Sequence, residues 1–133
     1  MVDLRTISEI TGDLPVEETS GLQVWFNKLL SKRKNEIDIK DILIMFRQNI
    51  YVYIAKEKAV EYLEINPFVG ELSDCELLVH IAKMDLHDWS DIHIKKIKRA
   101  MKIVDANMDL HNWIFDEDKY EAKEAIKLLI RKL

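Results

Sequence analysis

This sequence predicts an all-α fold, a compact single-domain bundle of about six helices with short connections. Three observations predict it. Glycine and proline number only three and two among 133 residues, too few for the turns of an all-β sandwich or barrel. Apolar residues recur along most of the chain at the i, i+3, i+4, i+7 spacing of amphipathic helices. Several segments open on Ser or Asp placed to accept an orphan backbone N–H at a helix start. A chain of this length is one domain's worth and can bury a core without staples. Residues 1–133 are therefore expected to form one helical domain, with a less regular N-terminal segment over 1–18.

The first helix is expected near 19–32, where Ser20 and Gln23 fit a capping box ahead of the stripe Leu22, Trp25, Phe26, Leu29 and Leu30. The second, near 38–49, opens on Asp38 and carries Ile39, Ile42, Leu43, Phe46 and Ile50. The third, near 51–65, carries Val52, Ala55, Ala59, Tyr62 and Leu63 and ends at Asn66-Pro67, because proline removes a donor and restricts the residue before it. The fourth is expected near 73–85, from a Ser73/Glu76 capping box through Leu77, Leu78, Ile81 and Ala82. Gly70 should permit the tight passage into Ser73. The fifth, near 90–106, starts at Ser90 and carries Ile94, Ile97, Met101, Val104 and Met108. The sixth, near 116–132, starts at Asp116 and carries Ala122, Ile126, Leu129 and Leu133. Four starts also show a staple pattern: Ile37 with Ile42, Leu72 with Leu77, Trp89 with Ile94, and Phe115 with Tyr120.

Charge narrows the classes of partner. The formal net charge is −4, which argues against nucleic acid as a direct ligand. Its distribution is uneven. Residues 1–92 hold 17 acids and 10 bases, net −7, whereas 93–133 hold 7 and 10, net +3. The densest acidic stretch contains Glu64, Glu71, Asp74, Glu76, Asp85, Asp88 and Asp91 against the single Lys83. Such a stretch is either a solvated face or a surface that steers a basic partner. The lone Cys75 has no partner for an internal disulfide, which suits a reducing cytoplasm. The opening residues MVDLRTISEITG contain no apolar signal-type core, and no apolar run reaches membrane-spanning length.

Catalytic signatures are missing from the expected places. No GxGxxG or GxxxxGK[ST] can be written with Gly12, Gly21 and Gly70, and neither GxSxG nor HExxH occurs. Cys75 lies between Asp74 and Glu76, whose charges would raise its pKa, so a structural thiol is expected. One internal repeat stands out: Met84-Asp85-Leu86-His87-Asp88-Trp89 and Met108-Asp109-Leu110-His111-Asn112-Trp113. It fits two similar helix–helix junctions. It also fits a paired Asp/His metal site, and hence a small hydrolase. Lys95, Lys98, Arg99 and Lys102 form a basic stripe that is either a solvated face or a contact to a phosphate backbone. Trp25, Trp89 and Trp113 read as core or as interface anchors. No metal, no cofactor and no catalytic residue is expected.

The run from Ile37 to Trp89 carries a further pattern: Ile39, Asp41 and Ile42; Gln48 and Ile50; Tyr53, Ala59 and Leu63; Asn66, Pro67, Phe68 and Gly70; Glu76, Leu77 and Leu78; and Trp89. In order and spacing it resembles the helical immunity proteins of bacterial contact-dependent growth inhibition (CDI) systems. The upstream segment 22–30 fits their preceding helix less closely. Two departures occur. Lys56 or Glu57 stands where the family often has proline, and Ser73-Asp74-Cys75 replaces its residues before Glu-Leu-Leu. Most shared positions have a structural reading: Gln48, Asn66, Pro67, Gly70, Leu77, Leu78 and Trp89. For Gln48, direct contact with a partner remains open beside a hydrogen bond to a loop backbone.

The resemblance implies a cytoplasmic inhibitor that binds the C-terminal toxin domain of a CDI effector. Many such toxins are basic nucleases, RNases more often than DNases. Carboxylates then stand where phosphates would go, and Glu64, Glu71, Asp74, Glu76, Asp85, Asp88 and Asp91 are the expected contact residues. The alternative reading is a small helical nucleic-acid-binding regulator that uses the Lys95–Lys102 stripe.

Overall fold

The computed structural model describes residues 3–133. Among the described residues seven α-helices follow one another: α1 (Ile7–Thr11), α2 (Gly21–Leu30), α3 (Ile39–Gln48), α4 (Val52–Ile65), α5 (Glu76–Ala82), α6 (Asp91–Ala106) and α7 (Asp116–Lys132). A 3₁₀ turn at Lys34–Glu36 precedes α3. Among the described residues there is no strand, only an isolated antiparallel bridge between Thr6 and Arg33. The all-α class is thus the observed one.

α1 lies inside the segment expected to be irregular. Thr6 accepts the amide of Glu9 while the Glu9 carboxylate accepts that of Thr6, and Gly12 closes the helix in the left-handed region at φ 79°. Thr-x-x-Glu followed by Gly12 is a complete short-helix signature. Five residues are too few for an apolar stripe to reveal the helix, but Ile7 is buried and its amide donates to the Lys32 carbonyl at 2.7 Å. The N-terminal segment is therefore docked against the end of α2.

The expected caps hold at Ser20, Asp38 and Ser90, whose side chains accept amides of Gln23, Asp41 and His93, but the box expected at Ser20 is not closed, because the Gln23 side chain accepts the Thr19 amide instead of that of Ser20. They fail at two places. α5 begins at Glu76, three residues later than Ser73. The Glu76 carboxylate accepts the amides of Glu71 and Leu72, not that of Ser73. Cys75 takes the cap position in the left-handed region at φ 62°. α7 is capped by Phe115 without a side-chain bond, and Asp116 is its first helical residue. Asp116, Glu117 and Asp118 instead place negative charge against the positive end of the helix dipole. The Leu72/Leu77 and Phe115/Tyr120 staples do not form as buried pairs, since Leu72, Phe115 and Tyr120 are exposed. Ile37 and Ile42 are both buried, and partly buried Ile94 packs against the cluster that contains Trp89.

α4 packs on α6, α5 on α7, and α3 on both α4 and α5. The core draws on every helix, with Leu29, Ile42, Leu63, Leu77, Leu78, Ile81, Ile97 and Leu129 fully enclosed. α7 also closes the far end of α5, where Lys132 Nζ donates to the carbonyls of Ala82 and Met84 at 2.7 and 2.8 Å. These are carbonyls a helix end leaves unpaired. At the near end of α5 the Asp74 amide donates to buried Asp118 of α7 at 3.2 Å.

Candidate functional site

The acidic stretch divides into carboxylates used internally and carboxylates left free. Glu76 is the most deeply used, at 6% exposure. Besides the Glu71 and Leu72 amides it accepts Arg47 Nε at 2.9 Å and faces His80 Nε2 at 3.3 Å. Burial disfavours its charge, but the two amides and the Arg47 guanidinium outweigh that, and its pKa lies below the ordinary glutamate value. Glu71 joins the same arginine at 3.2 Å. Glu64, at the end of α4, pairs with Lys96 of α6 at 2.7 Å. Asp74 meets His111 at 3.2 Å.

Asp85, Asp88 and Asp91 differ. All three are exposed at the α5–α6 junction, and no cation lies within ion-pair distance of them among the described residues. Asp85 only accepts the amide of His87, closing its own turn. Asp85 and Asp91 line an open groove of about 530 Å³, together with Trp89, Lys98 and Lys132. Glu76 therefore stands apart from the other six as a buried structural group, and the loop preceding α5 hangs on it.

Asn66 Oδ1 accepts the Phe68 amide at 3.0 Å, turning the chain at Pro67. A Cβ on Gly70 would lie 1.8 Å from the Ser73 carbonyl oxygen, so only glycine fits this approach. Leu77 and Leu78 are fully buried. Trp89 is buried under Lys56, whose Nζ sits 5.7 Å from the ring centre. Gln48 is exposed at the last turn of α3. Among the described residues its side chain makes no hydrogen bond to a loop backbone. Its neighbour Arg47 performs the tethering instead. Sequence reading missed Arg47, because a bond across 29 residues leaves no local signal.

The two repeated segments do different work. In the first, Leu86 and Trp89 are buried and His87 is exposed. In the second, Leu110 is exposed, and His111 stacks on Phe68 with ring centres 3.9 Å apart and planes 9° apart. Trp113 Nε1 donates to the Met108 carbonyl at 2.8 Å, and its ring meets Phe68 edge-on. Both copies are junctions, but only the second ties two loops together. Among the described residues, no group of three or more His, Cys, Asp and Glu is arranged to hold a metal ion. Cys75 is buried, and burial, with the charges of Asp74 and Asp118, pushes its thiol up to about 12. Lys95, Lys98, Arg99 and Lys102 lie exposed along α6.

A family model of CDI immunity proteins matches residues 6–99. The chain belongs to that family. The match spans α1 to the middle of α6, including Arg47, Glu76 and the loop they hold. No curated protein matches the chain. Membership makes this an immunity protein whose partner is a cognate CDI toxin, and such proteins act as inhibitors, not enzymes. No helix among the described residues is long and apolar enough to cross a membrane.

Proposed function

We propose that this immunity protein acts in the cytoplasm and neutralises a basic nuclease toxin domain, an RNase ahead of a DNase. It does so by laying an acidic surface over the toxin's active site or substrate groove. The observation that carries this reading is the set of exposed, unpaired carboxylates Asp85, Asp88 and Asp91 in a half of the chain with net charge −7. Carboxylates mimic the phosphates that a nuclease binds, and a field of one sign raises the encounter rate with a basic partner. Glu64, Glu71 and Asp74 add to that field from within their ion pairs.

The test is binding and rescue with the toxin domain encoded immediately upstream. Tight binding and survival of toxin-expressing cells are expected. Absence of both overturns the reading. Reversing Asp85, Asp88 and Asp91 to Lys should slow association at about 0.01 M salt, where the screening length is about 30 Å. Glu76 is left out of this test because reversing it would unseat Arg47 and the loop. The exposed Lys95–Lys102 stripe favours a second reading, a nucleic-acid-binding regulator. Salt-dependent RNA or DNA binding near physiological ionic strength would support that reading, and a flat titration ends it.

A further inference from the structure

We infer that the toxin seats on the rim formed by residues 71–74 and 107–118, with Leu72, Leu110, Ile114 and Phe115 as its apolar anchors. This rests on the reading of the partner as a basic toxin domain. The two segments are far apart in sequence but joined in the fold. Asp74 bonds His111 at 3.2 Å, the Asp74 amide donates to Asp118 at 3.2 Å, and Phe68 stacks on His111.

On this braced base, Leu110 is 82% exposed, Ile114 74%, Leu72 67% and Phe115 60%. Four large apolar side chains left in water at one end of a small domain are what an interface core requires. Charge says what covers them. Residues 107–118 contain four carboxylates and no Lys or Arg, although the C-terminal third as a whole is positive. Of these, Asp118 is buried, Asp109 is exposed but pairs with Lys119 at 2.9 Å, and Asp116 and Glu117 are exposed with no cation within ion-pair distance among the described residues. An apolar centre ringed by carboxylates fits a basic protein surface and repels an acidic one. A second copy of this chain would bring the same negative ring against it.

With the toxin seated here, the rim carboxylates are the ones that cover its active site or groove, and Asp85, Asp88 and Asp91 only steer it towards that seat. Asp118 and Lys132 mark the two ends of α7 that hold the two ends of α5. The ten residues from Asp74 to Met84, at helical rise, separate the rim from the start of the Asp85–Asp91 group by about 15 Å. At about 0.15 M salt the screening length is about 8 Å, so only charges beside the interface still act on the partner.

The experiment measures association and dissociation rates of the full chain with a catalytically inactivated form of the upstream-encoded toxin domain. Leu110→Ser, Ile114→Ser and Phe115→Ser, combined, should raise Kd about 30-fold or more, mainly through faster dissociation. The melting temperature should stay near wild type. Asp109→Lys, Asp116→Lys and Glu117→Lys, combined, should slow association at 0.15 M salt, where the Asp85, Asp88 and Asp91 reversals no longer do. If wild type binds and the apolar triple variant binds equally well, the rim is not the seat, while the toxin reading stands. The same follows if only the Asp85–Asp91 reversals act at 0.15 M salt. If wild type does not bind, both fail. If the free chain sediments as a dimer that the triple variant dissolves, the rim is a self-association surface and this assignment is overturned.

Discussion

Glu76 shows how a single carboxylate is kept charged while buried. Its four partners come from three places: the Arg47 guanidinium on α3, His80 on its own helix, and the Glu71 and Leu72 amides of the preceding loop. Removing it leaves two amides without their acceptor and Arg47 with Glu71 alone. Glu76→Ala should therefore destabilise the fold by about 3 kcal/mol, read from urea unfolding. Asp41 is built alike, with Lys32 Nζ at 2.6 Å, Trp25 Nε1 at 2.9 Å and the Asp38 amide at 3.1 Å. Burial opposes ionisation of both groups, yet their hydrogen bonds and cations hold both below the ordinary carboxyl values. A depressed folded pKa means that the stabilisation is complete above the unfolded value of about 4 and is lost as pH falls through the folded one. Stability should thus be flat near neutrality and fall steeply below about pH 4, and Glu76→Gln should flatten part of that fall. Equal acid sensitivity in wild type and variant would remove Glu76 as a cause.

At the scale of elements, the junction between α4 and α5 is held by close approach and by stacking. Gly70 lies outside the left-handed region, so its need for glycine is purely steric. Gly70→Ala must push back the Ser73 carbonyl and should cost about 1–3 kcal/mol in thermal or urea unfolding. His111 closes the same junction from the other side. His111→Ala should lower stability by about 1 kcal/mol through the lost stack and Asp74 contact. His87→Ala should change little, because His87 is exposed. Equal effects at the two histidines would contradict the different roles of the two repeats. The repeat was legible in the sequence as a pair of junctions. Which copy carries load was not, because that depends on Phe68 arriving from a loop 43 residues away.

For the whole molecule, the family match and the fold have different extents. The match ends at residue 99, but α5 is sandwiched against α7, which supplies Ala122, Ala125, Ile126 and Leu129 to the core. A chain cut after residue 106 contains the whole matched segment yet uncovers the face of α5 that packs on α7. It should fail to unfold cooperatively, as circular dichroism on heating would show. A sharp transition near that of the full chain would mean that α7 is dispensable. Charge behaves similarly. The −7 and +3 halves are properties of the sequence, but folding withdraws Glu76 and brings the acidic 107–118 segment of the positive half beside Asp74.

Helix class, most helix positions and the family were determined by sequence alone, because apolar periodicity, side-chain caps and the Asn-Pro break act over a few residues. Leu77, Leu78 and Ile97 could be placed in the core on spacing alone for the same reason. The tertiary structure alone decided the late start of α5, the Arg47 tether and the withdrawal of Glu76 from the surface. It also left Leu72 and Phe115 in water, where local pattern paired each with a staple partner. In each case the deciding neighbour comes from another part of the fold: Arg47 29 residues before Glu76, or Asp118 44 residues after Asp74. Burial and ion pairing depend on what lies across the interface between elements, and a single sequence read locally holds no record of that.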